Sequence, residues 1–295
     1  MSLSLVITTY NRTAVLERLL RTLESQTDPD FQVVVAIDGS TDNTEDMLKG
    51  VRTRYDLKWI NTHCKEYGLA VARNRGILAS DGRAVAIMDD DSVPVPGFVA
   101  AHKASCTSGV ITGGPRHPAN GDERMAWKMQ ELGRLPPLTP MTIDQLQREW
   151  PNAYLVENNI GLLRDDWIAM GLFSERLKLY GYIGQEYFAR ARFLGMRYQF
   201  NPAAAVMHHG ELAGDNGFFH SKKVRQTKVS ELVRPSLMLS KHFNAQVTWA
   251  RDQAAGRSQQ EMPGFWLHAG MALPWRVTRL GLSRVRRKVR QVLGA

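Results

Sequence analysis

An apolar run, Ala84-Val85-Ala86-Ile87-Met88, stops at three consecutive aspartates, Asp89-Asp90-Asp91, which lead into Ser92-Val93-Pro94. A short β-rich run of this kind comes out of a core, and the carboxylates at its end sit at the C-terminal edge of a strand. In open α/β sheets that edge is where ligands bind. Carboxylates packed together repel one another, so something must compensate their charge. Clustered oxygen ligands suit a hard divalent cation, Mg²⁺ or Mn²⁺, which commonly bridges to phosphate. Taken alone, the triplet also fits a solvated acidic turn.

The N-terminal third carries the same pattern twice more. Leu3–Thr9 reads as a buried strand, and Tyr10-Asn11-Arg12-Thr13 as the turn into a helix with Val15, Leu16, Leu19, Leu20 and Leu23 on one face. Phe31–Ile37 is a second strand, closed by Asp38-Gly39-Ser40-Thr41-Asp42-Asn43-Thr44. Those small polar residues suit a turn and then a helix N-cap. Two strand–helix units in succession predict a parallel, right-handed βαβ arrangement. Thr8, Tyr10 and Asp38 then fall at neighbouring strand ends, on the same edge as the aspartates. An Asp so placed can accept hydrogen bonds from a base or a ribose.

Four motifs in order now stand on the page: Val6–Arg12, Ala36–Asp42, Gly68–Gly76 (Gly-Leu-Ala-Val-Ala-Arg-Asn-Arg-Gly) and Asp89–Asp91. Together they resemble family 2 glycosyltransferases of the GT-A fold, closely over the first half and more loosely to about His209. The resemblance implies an α/β fold: a Rossmann-like, nucleotide-sugar-binding mixed sheet flanked by helices. It also implies an inverting transferase that uses a nucleotide-activated sugar, UDP-linked by expectation, and Mn²⁺ or Mg²⁺. Carried over by position, Thr8 and Tyr10 line the nucleotide pocket, and Asp38 binds the base. Arg73 reaches the base or the phosphates. Asp89, with Asp90 beside it, contacts the donor, and Asp91 holds the metal. After the apolar Ala203–Met207 comes His208-His209, and the resemblance gives the remaining metal position to a His, with His208 favoured. Adjacent residues of an extended chain point to opposite faces, so only one of the two is expected to reach the metal.

The acceptor side is carried by Asn158–Arg164, Gly171–Leu177 and Tyr180–Gly195. The resemblance places an acidic base motif, Glu-Asp-x-Glu-Leu, at the last of these. Aligned without a gap on Gly181, Arg190 and Gly195, the Glu-Asp pair falls on Ile183-Gly184 and Glu186 matches the later Glu. Shifted by two, Gln185-Glu186 takes its place. Inversion in one displacement requires a carboxylate to take the acceptor proton. Glu186 is the only acidic residue between Glu175 and Glu211, so it is the expected base, with Asp165 and Asp166 as fallback. The competing reading is a helix-start Glu paired with Arg190 at i,i+4. Residues 115–151 are expected to form acceptor-side loops.

The two cysteines, Cys64 and Cys106, are too few for a disulfide framework or a zinc site. No signal peptide is evident and no apolar stretch is long enough to span a bilayer. A cytoplasmic protein is expected, with a peripheral position on the inner face of the membrane as a variant. The net charge of +9 concentrates late. Trp275–Leu293 interleaves apolar residues with Arg276, Arg279, Arg284, Arg286, Arg287, Lys288 and Arg290. It reads either as a basic amphipathic helix on an anionic membrane or as a helix packing its apolar side on the domain. No nucleic-acid partner is expected, because no recognisable module accompanies the charge. The expected organisation is a transferase domain over 1–212 and a basic helical extension over 213–295. Its partners would be a nucleotide-sugar donor and a glycan or lipid-linked acceptor. Two other classes fit less well, a sugar-nucleotide-binding protein without catalysis and a metal-dependent nucleotidyltransferase.

Overall fold

A computed structural model describes residues 1–118, 135–151, 153, 155–175, 177, 183–209 and 240–257. The first half alternates strand and helix: β1 (Leu3–Thr9), α1 (Thr13–Leu23), β2 (Gln32–Ile37), α2 (Thr44–Gly50), β3 (Asp56–Asn61), α3 (Leu69–Ala79) and β4 (Ala84–Asp89). There follow β5 (Ser92–Pro94), α4 (Phe98–Ser105), β6 (Val110–Gly113), β7 (Arg116–Pro118), α5 (Ile143–Glu149), β8 (Asn159–Leu163) and α6 (Arg164–Ala169). The last described elements are α7 (Ile183–Phe193), β9 (Arg197–Phe200), β10 (Val206–His208) and α8 (Ser240–Ala254).

Seven strands form one mixed sheet in the order β3-β2-β1-β4-β8-β6-β9, and β5-β10-β7 form a smaller one. β8 runs antiparallel to both β4 and β6, whereas β1 is parallel to β2 and β4. Every residue of β1 and β2 is buried, as expected for strands covered on both faces. Alternation sends Leu3, Leu5 and Ile7 into one core layer with Leu16, Leu19, Leu20 and Leu23 of α1. Val6 goes to the opposite layer with Ala72 and Ile77 of α3. The α/β mixed sheet with flanking helices is the architecture expected from the sequence.

Helix α3 lies unusually close to β1. A Cβ at Gly76 would stand 2.4 Å from Val6 Cγ1 and 3.3 Å from Ala36 Cβ. Gly76→Ala should therefore lower stability by about 1–3 kcal/mol, because Val6 is stiff and the layer is full. Helix propensity alone would favour Ala by about 1 kcal/mol. A urea midpoint above that of the native chain would show that propensity outweighs this contact.

The strand expected over Ala203–Met207 begins later, at Val206. Ala203 and Ala204 are instead in a turn: Ala204 N donates to Asn201 O and Ala203 N to Asn201 Oδ1, at 3.0 Å each. α8 packs on the domain, burying Trp249 and Ala250. Its Gln246 Nε2 donates to Gly171 O at 3.0 Å. The basic segment 275–293, the middle of the expected acceptor-side loops (119–134) and the larger part of 213–295 lie outside the described residues. Among the described residues, no helix is long and apolar enough to cross a membrane.

Candidate active site

The parallel register pairs Thr9 with Ile37 and Thr8 with Asp89, so β1, β2 and β4 end together. β2 and β3 lie on one side of β1 and β4 on the other. The strand order therefore reverses at β1, which is the crevice where open α/β sheets take ligands. Asp90 and Asp91 are only 3% and 7% exposed. A solvated acidic turn is not what the chain builds here.

Buried carboxylates need partners, and each aspartate has its own. Thr9 Oγ1 donates to Asp90 Oδ2 at 2.7 Å. Arg12 Nη1 reaches Asp90 Oδ1 at 2.9 Å and Asp91 Oδ2 at 3.3 Å, so this guanidinium is the internal countercharge of the triplet. Burial, with the Asp91 charge adding to it, still pushes Asp90 up to about 7 against the opposing pull of Arg12 and Thr9. Burial raises Asp91 as well, but His208, Arg12 and Arg116 outweigh it and hold that carboxyl below its ordinary range.

Asp89 is the hub of a second set. It accepts from Arg73 Nη2 at 3.0 Å, from Asn158 Nδ2 at 2.8 Å and from Thr8 Oγ1 at 3.4 Å. Asn158 can reach it because antiparallel β8 enters the sheet at this edge, with Met88 opposite Asn159. Arg73 is 2% exposed and lies over the Phe173 ring at 5.3 Å. Burial works against its charge, yet Asp89 and then Glu157 outweigh that and raise its pKa. Its Nη1 is buried without a hydrogen-bond partner. Next to it, Asn74 fixes the backbone of Phe173 from both sides, through Asn74 Nδ2 to Phe173 O at 2.9 Å and Phe173 N to Asn74 Oδ1 at 2.8 Å.

Asp38, 5% exposed, accepts from Gly68 N at 3.1 Å. A Cβ on Gly68 would stand 2.4 Å from Asp38 Oδ1, so only glycine allows this approach. Tyr10, partly buried, closes β1 beside it. The loops after β1 and β2 are tied by Asn11 N to Ser40 Oγ at 2.9 Å and Thr41 N to Asn11 Oδ1 at 2.7 Å. Asn11 takes a positive φ of 51° here, which Asn tolerates better than most residues.

β10 brings His208 Nε2 to 3.6 Å from Asp91 Oδ1, an oxygen that is buried without a hydrogen-bond partner. His209 meets the same residue through its backbone, donating N–H to Asp91 O at 2.8 Å. One open carboxylate oxygen facing one imidazole nitrogen fits a divalent cation that takes its other ligands from phosphate and water. Among the described residues, no three His, Cys, Asp or Glu side chains converge as a complete cage.

The structure thus brings together Thr8, Asp89, Asp90, Asp91, Arg73 and His208, with Asp38 and Tyr10 at the adjoining strand ends. Glu186 bonds to a different residue. Glu186 is fully buried in α7, with Oε1 and Oε2 accepting from Arg190 Nε at 2.8 Å and Nη2 at 2.9 Å. Arg190, equally buried, also donates to Met170 O and to Leu172 O. Both carboxylate oxygens of Glu186 are thus taken up by the Arg190 guanidinium. Asp165 and Asp166 sit in the first turn of α6, beyond the far end of β8 where Leu163 pairs with Ala84, the opposite edge of the sheet. Asp166 Oδ2 accepts there from Gly109 N at 2.9 Å.

Sequence reasoning passed over Thr9, Arg12, Asn158 and Glu157. The need for countercharge beside three aspartates could have singled out Arg12, the cation nearest the end of the first strand. Asn158 becomes visible only once β8 is known to pair antiparallel with β4.

Three relatives bear on this arrangement. Validoxylamine A glucosyltransferase from Streptomyces hygroscopicus subsp. jinggangensis is 31% identical over 198 residues, 59% of this chain and 47% of the relative. The chain thus spans about half the length of that protein. S. aureus TarS in complex with UDP-GlcNAc superposes with a TM-score of 0.58 at 17% identity, over 88% of this chain and 74% of that one. The mannosyltransferase PcManGT from Pyrobaculum calidifontis, in complex with GDP-Man and Mn²⁺, gives 0.53 at 18% identity over 96% and 75%. At such identities the two structures speak for the fold alone, and the fold is GT-A. Residues 4–167, more than half the chain, match glycosyl transferase family 2, and the chain belongs to that family.

Proposed function

We infer that the chain transfers a sugar from a nucleoside-diphosphate donor to a hydroxyl acceptor, with inversion and with a divalent cation. The observation that carries this reading is the pairing of two unsatisfied buried groups at the sheet edge. Arg73 Nη1 lacks an acceptor and Asp91 Oδ1 lacks a donor. Buried polar groups in native proteins are almost always partnered. A diphosphate bound there would give Arg73 its acceptor, and a cation held by Asp91 and His208 would give Asp91 its counterion.

Each residue then has a task. Asp38 and Tyr10 take the base, by hydrogen bond and by aromatic face, with Thr8 at the floor of the pocket. Asp89, oriented by Arg73 and Asn158, accepts from donor hydroxyls, with Asp90 beside it. Arg73 neutralises the diphosphate as charge develops on the leaving oxygen. When bound by Asp91 and His208, Mn²⁺ or Mg²⁺ would supply further neutralisation of that diphosphate. An imidazole beside carboxylate leans toward Mn²⁺. A UDP-linked donor is the first expectation. The solved relatives in complex with UDP-GlcNAc and with GDP-Man keep both bases in the test. The acceptor would be a hydroxyl of a glycan, lipid or polysaccharide precursor, and the basic C-terminal segment would bring the chain to an anionic membrane carrying such acceptors.

Thermal melting with UDP-glucose, UDP-GlcNAc and GDP-mannose, each with and without Mn²⁺, tests the reading. A donor at a hundred times its Kd adds about 2.7 kcal/mol, so at least one should raise the melting temperature in Mn²⁺. The same donor should then release its nucleoside diphosphate. No shift with any donor, together with turnover of a nucleoside triphosphate, would instead favour a nucleotidyltransferase.

A further inference from the structure

The carboxylates of the sheet edge are committed on the donor side, and Glu186 is enclosed with Arg190. One more carboxylate lies against the site from another direction. Glu157 immediately precedes Asn158, which bonds Asp89, and its charge acts on Arg73 second only to that of Asp89. It is partly exposed, so an incoming hydroxyl can reach it.

Its carboxylate rests on the first turn of α7, over Gly184. A Cβ built on Gly184 would stand 2.3 Å from Glu157 Oε2, 2.4 Å from Cδ and 2.9 Å from Oε1. The carboxylate therefore fills the space that any side chain at position 184 would enter. The ungapped alignment puts the acidic pair of the family motif on Ile183-Gly184, where this chain has no acid. A carboxylate from a neighbouring segment occupies that place.

We propose that Glu157 is the general base, lodged over the bare turn at Gly184 and delivering from the loop before β8 the carboxylate that α7 does not carry. The proposal rests on the transferase reading above. In the step, the acceptor oxygen forms its bond to the anomeric carbon and its proton passes to the Glu157 carboxylate. The bond from the anomeric carbon to the phosphate oxygen breaks, and the nucleoside diphosphate leaves with the electron pair beside Arg73. Charge and atoms balance within donor, acceptor and Glu157. Glu186 has the different task of holding α7 in place beneath it.

The test uses whichever of UDP-glucose, UDP-GlcNAc and GDP-mannose the native chain turns over in Mn²⁺, with water as acceptor. Donor affinity is read by calorimetry and folding by thermal melting. Glu157→Gln should bind donor within a few-fold of the native chain and release diphosphate on the order of 10²–10⁴-fold more slowly. Gly184→Asp alone should also be slow, because its new side chain meets the Glu157 carboxylate. Combining Gly184→Asp with Glu157→Ala should restore at least ten-fold over Glu157→Ala alone, because the introduced carboxyl falls where Glu157 had been. That recovery separates a base from a residue that merely steadies Arg73. Turnover of Glu157→Gln close to native would overturn the proposal, as would parallel loss of donor binding and turnover with no recovery in the double variant. A native chain that binds and turns over no nucleotide sugar overturns the transferase reading itself, and this proposal with it.

Discussion

Glu186→Gln is expected to lower the stability of the fold by about 3–5 kcal/mol, the usual consequence of breaking a buried ion pair from one side. The substitution leaves the Arg190 guanidinium, fully buried, without its counterion. The carbonyls of Met170 and Leu172 that it also contacts carry only partial charge. For a chain of this size each kcal/mol moves the melting temperature by roughly 2–4 °C, so a fall of about 6 °C or more should be seen. Replacing both partners with apolar residues, as in Glu186→Leu with Arg190→Met, should recover much of the loss, because no charge is then left unpaired. Below the melting temperature, donor turnover of Glu186→Gln should stay within a few-fold of native. A variant that melts like the native chain but turns over donor a hundred-fold more slowly would return Glu186 to the role of base.

That pair shows where sequence reading succeeds and where it stops. The i,i+4 relation of Glu186 to Arg190 is plain in the sequence. Its burial is not, and burial changes a surface pair worth a few tenths of a kcal/mol into one that holds a helix. The strands were legible because β1, β2 and β4 are covered on both faces and so read as unbroken apolar runs. Their polar ends were legible for the same reason, since Asp38 and Asp89 mark where the chain leaves the core. Contacts between distant segments were not. Asn158 reaches Asp89, and Glu157 reaches Gly184, only because β8 runs antiparallel and meets the sheet at the same edge. The expected base, Glu186, and its fallbacks, Asp165 and Asp166, all follow β8 in the chain, whereas Glu157 precedes it. His208 lay at the end of an apolar run as expected, although its strand is shorter because Asn201 holds the preceding residues in a turn.

The second large effect is expected at Asp91. Its Oδ2 already meets Arg12 at 3.3 Å, while Oδ1 faces His208 without a hydrogen bond. Asp91→Asn keeps the shape and one oxygen but removes the charge a divalent cation needs. Arg12 would still compensate Asp90, so the fold should survive, and melting without ligand checks that it does. The central claim is that this edge holds a nucleoside diphosphate through a cation. Calorimetry of UDP binding to the native chain and to Asp91→Asn, each with and without Mn²⁺, addresses it most directly; GDP replaces UDP if the melting screen selects a GDP donor. Mn²⁺ should tighten binding to the native chain at least ten-fold, about 1.4 kcal/mol. In Asp91→Asn most of that gain should vanish, with metal-free affinity unchanged. Equal tightening by Mn²⁺ in both proteins would contradict the claim.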